Sequence, residues 1–174
     1  MLIALVSAQR GQSLHMLDIQ FMKEGDNSSE FALPEHIKQR RPGYKLPSVL
    51  LKAYPEDQSL CVFTHLKEYL QRTKPLRGTE TKLFLSYMKP HHRASKDTIS
   101  RWIRSVMADD GVDVNTFKPH STRAAAALKA KSVSVPDEEI LDTAGWSSER
   151  TFDRFYNTPF QGNSGFATSV LHID

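Results

Sequence analysis

Between Phe117 and Thr158 the chain reads FKPHSTRAAAALKAKSVSVPDEEILDTAGWSSERTFDRFYNT, and the polar residues of this stretch sit where packing alone does not put them. His120 and Arg123 stand at the opening of a helix expected to start near Ser121. The first turn of a helix has backbone N–H groups without intrahelical partners and carries the positive end of the macrodipole, so it favours an anion such as phosphate. A second helix is expected from Pro136 at its first position to Gly145 just past its end. Trp146 follows at once, and ten residues later Tyr156 stands in a short amphipathic segment, expected to form a third helix that contains Thr151–Tyr156.

Composition sets the outer bounds. A chain of 174 residues fits one domain, since domains run to about 100–200 residues. With 39% apolar and 25% charged residues it has the make-up of an ordinary globular protein with a real core. No apolar run approaches the roughly 18 residues of a membrane span, and Met1–Val6 has no basic region or cleavage signal before it, so an intracellular protein with no membrane partner is expected. The single Cys61 excludes an internal disulfide and any thiolate metal cluster, in keeping with a reducing compartment. Net charge is only +3, but Lys and Arg gather at Lys38–Arg41, Lys74–Arg77, Lys89–Lys96 and Lys118–Lys131, and acids at Asp109–Asp113 and Asp137–Asp142. Such segregation suits a positive face for a polyanion, although charge alone fits a merely solvated surface equally well.

Residues 2–16 carry an apolar stripe at helical spacing that Arg10-Gly11 interrupts, which predicts one helix with a break. Leu17–Phe21 alternates like a strand, Gly25-Asp26-Asn27 has turn chemistry, and Phe31 with Leu33 begins a second strand. A turn at Pro42-Gly43 and a third strand near Leu46–Leu51 complete a small antiparallel sheet. From Pro55 a helix follows, with Leu60, Phe63, Leu66 and Leu70 on one face, then a polar, basic connector over 73–81. Leu83–Leu85 is a short apolar run of either type, and 89–93 is a loop whose His91 and His92 lack a second ligand pair and read as solvated. Ser95 is the expected N-cap of a helix that turns Ile99, Trp102, Ile103, Val106 and Met107 inward and stops at Gly111.

His-x-x-Arg, Gly-Trp and Tyr in this order resemble the active-site half of the tyrosine recombinases, the phage-integrase family of DNA strand-exchange enzymes. The wording H-S-T-R-A-A-A, G-W-S-S and F-Y is closest in look to recombinases of eukaryotic mobile elements. The resemblance implies an α+β, mainly α, tyrosine-recombinase-like catalytic domain with a small three-stranded antiparallel sheet. It implies cleavage and rejoining of double-stranded DNA through a 3′-phosphotyrosyl intermediate, with no metal and no nucleotide cofactor, by subunits that assemble as a tetramer on DNA. Carried over by resemblance, Arg10 is the first phosphate clamp, Lys38 the hairpin general acid, His120 and Arg123 the His-x-x-Arg pair, Trp146 the His/Trp position and Tyr156 the nucleophile. Lys45 competes with Lys38, since both flank the Pro42-Gly43 turn.

Departures from the family pattern accompany these matches. The interval from Trp146 to Tyr156 is one residue longer than in the family, and Ser13 stands three after Arg10, where relatives often carry an acid. Arg10 comes so early that a catalytic domain over 1–161, trimmed at its start, is expected, followed by a tail over 162–174. The tail holds Phe166, Val170, Leu171 and Ile173 beyond the Gly162–Gly165 linker; it either folds back or passes to a neighbouring subunit. A eukaryotic source would place the protein in the nucleus. The competing readings are a catalytically inactive, recombinase-derived DNA-binding protein and a helical protein-interaction module, the latter leaving Arg10, His120 and Arg123 unexplained.

Overall fold

The computed structural model describes residues 1–33 and 48–146. The expected Pro42-Gly43 turn, Lys38, Lys45, the Thr151–Tyr156 helix with Tyr156 itself, and the 162–174 tail lie outside the described residues. Within them the chain runs α1 (Leu2–Ser7), α2 (Gly11–Met16), β1 (Met22–Glu24), β2 (Ser28–Ala32), β3 (Ser48–Lys52), α3 (Val62–Thr73), α4 (Lys96–Asp109), α5 (Ser121–Ser132) and α6 (Asp137–Ala144). The strands form one antiparallel sheet in the order β1-β2-β3, so the architecture is the expected mainly helical α+β one.

The sheet is short and one-sided. Phe31 lies opposite Met22 and Val49, and Ser29 opposite Glu24 and Leu51. Phe31, Ser29, Val49 and Leu51 are buried, whereas Glu30 and Leu50 between them point the other way, as the two-residue period of a strand requires. Gly25 N–H donates to the Ser28 carbonyl at 2.8 Å and closes the expected turn at Gly25-Asp26-Asn27. These strand residues share one core with Ala4 of α1, Leu14 of α2, Leu66 of α3 and Ile99 and Ile103 of α4; α1 and α3 pack on β3, and α4 on α2.

The break at Arg10-Gly11 is real. α1 stops when Ala8 turns into the left-handed region at φ 48°, and Arg10 then adopts an extended conformation as the N-cap of α2. α4 begins and ends as its residues prescribe. Ser95 Oγ accepts from Thr98 N–H at 3.1 Å. At the far end Gly111, at φ 79°, donates to the Ala108 carbonyl and Val112 donates to that of Met107, the paired bonds of a Schellman stop. On the inner face Ile99, Ile103 and Met107 are buried, while Val106 is exposed.

Three further expectations need correction, beside that of Val106, which was expected to turn inward and is exposed. Leu17–Phe21 is not a strand in the sheet: Ile19–Phe21 is a single 3₁₀ turn capped by Asp18, whose carboxylate accepts from Gln20 N–H at 3.1 Å. The alternation there serves a different partner, since Leu83 N–H donates to the Leu17 carbonyl at 2.8 Å and Ile19 N–H to that of Thr81 at 2.9 Å. Leu60, expected on the apolar face of a helix from Pro55, is 51% exposed in a 3₁₀ turn, because α3 begins only at Val62. Arg77, counted in the basic connector, is a structural residue. Only 8% exposed, it donates to the carbonyls of Lys82 (2.7 Å) and Leu83 (2.8 Å) and to Thr73 Oγ1 (2.8 Å). Its Nη1 and Nη2 groups thus satisfy carbonyls and a hydroxyl inside the fold.

Candidate active site at the start of α5 and the end of α6

A second, smaller apolar cluster joins Ala8, Ala127, Ile140, Ala144 and Trp146. Its small side chains explain how three segments meet. The alanine run after Arg123 lets α6 and the end of α1 approach α5 closely, and Arg123 lies one turn before Ala127 on the same face. Arg123 is thereby drawn inward and is 3% exposed. Its guanidinium carbon stands 4.3 Å from the ring centre of Trp146, which is 6% exposed. A cation over an indole face in a desolvated setting contributes about 2 kcal/mol, and it holds the planar guanidinium in one orientation.

Trp146 reaches that position through the way α6 ends. Gly145 takes φ 66° and donates to the Asp142 carbonyl at 3.1 Å, and Trp146 N–H donates to that of Leu141 at 2.9 Å. This is the same two-bond stop that ends α4. The left-handed conformation disfavours any side chain. A β-carbon on Gly145 would meet only Gln9 Nε2, at 3.9 Å, so Gly145→Ala suffers from the dihedral and not from a clash. The expected cost is about 1–2 kcal/mol, or roughly 2–8 °C of Tm in a chain of this size. Thermal unfolding checks it, and an unchanged Tm would contradict the placement of Trp146 by this turn.

The start of α5 differs from the expected anion site in one respect. Ser121 N–H donates to the Lys118 carbonyl at 2.8 Å and Arg123 N–H to that of His120 at 3.3 Å, so a preceding turn already occupies amides expected to be open. Ser121 and Thr122 hydroxyls also turn back, to the carbonyls of Lys118 and Pro119. Any anion here would rely on side chains more than on backbone N–H groups. His120, the N-cap residue of α5, is exposed and available for such a role.

Arg10 comes from the opposite end of the chain. Ala8 belongs to the Trp146 cluster, and Gln9 Nε2 donates to the Thr143 carbonyl of α6 at 2.7 Å, across 134 residues of sequence. The segment carrying Arg10 is thus tied to the end of α6, with the Arg10 side chain exposed. Among the expected site residues, the structure gathers the Arg10 segment, Arg123 and Trp146 around α5 and α6; Lys38 and Tyr156 lie outside the described residues. Sequence reading missed Gln9, whose partner no local pattern could disclose. Among the described residues no group of three or more metal-ligating side chains occurs, and His91 instead bonds through Nδ1 to the Ser86 carbonyl at 3.0 Å. No described helix is long and apolar enough to cross a membrane.

No family model matches the sequence, and no curated protein matches it. Solved structures do match its shape. The XerH site-specific recombinase bound to difH substrate in a pre-cleavage complex superposes with a TM-score of 0.67 at 17% identity, over 97% of this chain and 43% of the recombinase. The post-cleavage complex of XerH with a palindromic difH substrate gives 0.64 at 17% identity, over 97% and 44%. XerA recombinase gives 0.65 at 18% identity, over 99% and 56%. The chain therefore spans about half the length of these recombinases. The likeness to these solved structures shows that this chain has a tyrosine-recombinase-like fold.

Proposed function

We propose that this chain cuts and rejoins DNA strands without metal or nucleotide, through a covalent 3′-phosphotyrosyl intermediate. Tyr156 Oη gives up its proton to water as it attacks the scissile phosphorus, the bond from phosphorus to the 5′-oxygen breaks, and Lys38 gives that oxygen its proton. The products are a 3′-phosphotyrosyl ester and a free 5′-hydroxyl. A 5′-hydroxyl from another strand reverses the step, so the phosphodiester bond energy is conserved. Arg10 and Arg123 hold the non-bridging oxygens as charge builds on them, with His120 alongside. Self-association on paired DNA sites belongs to the same reading.

The observation that carries this proposal is the seating of Arg123 against Trp146, beside the segment bearing Arg10, in a chain of this fold. An arginine held in one orientation suits a phosphate clamp, because positioning contributes a large share of the barrier reduction. The test uses a pool of nicked duplexes, randomised in sequence on both sides of the nick, from which the short fragment bearing the new 5′-hydroxyl diffuses away after cleavage. An SDS-resistant protein–DNA adduct is expected. Salt-dependent DNA binding without any adduct would replace this reading by the inactive DNA-binding one.

The general acid can be tested apart from the nucleophile. A 5′-sulfur leaves as a thiolate and needs no proton donor, so a 5′-thio substrate bypasses the acid. Lys38→Ala is expected to slow the ordinary substrate by about 10²–10⁴-fold and to cleave the 5′-thio substrate close to the normal rate. Rescue confined to Lys45→Ala would assign the role to Lys45.

A further inference from the structure

We infer that Gln9 is a positioning residue that locks Arg10 to the Trp146 end of α6; its catalytic meaning rests on the function proposed above. The last carbonyls of a helix have no intrahelical donor and must find one elsewhere. In α6, Leu141 and Asp142 accept from Trp146 and Gly145, and Thr143 accepts from the Gln9 side chain at 2.7 Å. Gln9 thus adds a third bond to the cap that seats Trp146 over Arg123. Its neighbours on either side explain why the bond matters. Ala8 is buried in the α5–α6 cluster in a left-handed turn, while Arg10 is exposed and extended, and among the described residues its carbonyl accepts from Leu14 N–H at 3.0 Å. Ser13, three residues on from Arg10, is no acid that could orient the guanidinium. The segment is therefore fixed on its Ala8 side by packing and at Gln9 by one long-range hydrogen bond, directly before the clamp residue.

Gln9→Met keeps the length of the side chain and removes the donor. In free protein it should speed amide exchange at Leu14, Gly145 and Trp146 by about two- to tenfold, the worth of one such bond, while leaving α4 amides unchanged. Unchanged exchange at those three amides would overturn the inference. In the nicked-duplex assay the same variant should slow adduct formation by a similar factor in the parent protein, and cause no further loss in an Arg10→Ala background. Equal slowing in both backgrounds would make Gln9 a mere brace of the fold and overturn its positioning role. Faster exchange in a protein that forms no adduct at all would instead remove the cleavage reading and leave the lock between Gln9 and α6 standing.

Discussion

Arg123→Ala should reduce adduct formation by at least about 10²–10³-fold, the usual consequence of removing one donor aimed at developing negative charge. The same change removes the cation from the Trp146 face, an interaction worth about 2 kcal/mol in a desolvated site, so a lower Tm is expected as well. Arg123→Lys separates the two effects. It keeps the charge but loses the planar fork, which is what grips two phosphate oxygens and stacks on the indole. Its adduct formation should stay far below that of the parent protein even at temperatures where it is fully folded. Adduct formation within about twofold of the parent in either variant, measured on the nicked-duplex pool, would show that Arg123 is only a packed core cation.

Tyr156→Phe should lose the adduct altogether, a fall of at least about 10⁴-fold, because in the proposed reaction the phosphate ester forms on the Tyr156 oxygen. Phe155 beside it offers no oxygen. Binding of intact duplex should change by less than about twofold, since one phenolic oxygen contributes little against the electrostatic attraction of many phosphates. The loss must therefore appear in covalent chemistry and not in affinity, and a titration at two salt concentrations run beside the adduct assay separates the two. Persistence of an SDS-resistant adduct in Tyr156→Phe would move the nucleophile elsewhere.

Much of the fold could be read from residues whose effect is local. Gly111 and Gly145 stop their helices because a left-handed residue is cheap only for glycine, and Ser95 caps α4 with a bond to an amide three residues away. The break between α1 and α2 was visible because Arg10-Gly11 interrupts an apolar stripe. What escaped depends on partners far along the chain. Leu17–Phe21 alternates like a strand, but its hydrogen bonds go to Thr81 and Leu83, and only the tertiary fold decides that. Arg77 looked like part of a basic surface because sequence does not show that the Lys82 and Leu83 carbonyls are buried beside it. Of the candidate site, Arg123 and Trp146 could be paired from motif order, and their stacking gives that pairing a physical form. Gln9 had no signal, since its bond to Thr143 joins opposite ends of the described chain.

Breakage of DNA through a tyrosine ester, as proposed, is settled by identifying the bond itself. The SDS-resistant adduct is digested with protease and nuclease, and the remaining nucleotide-bearing peptide is sequenced by mass spectrometry. The expected product is a nucleotide joined through its 3′-phosphate to Tyr156, with a free 5′-hydroxyl on the released strand. A nucleotide attached to any other residue, a 5′-phosphate linkage, or no covalent product from duplexes that the protein demonstrably binds would contradict it.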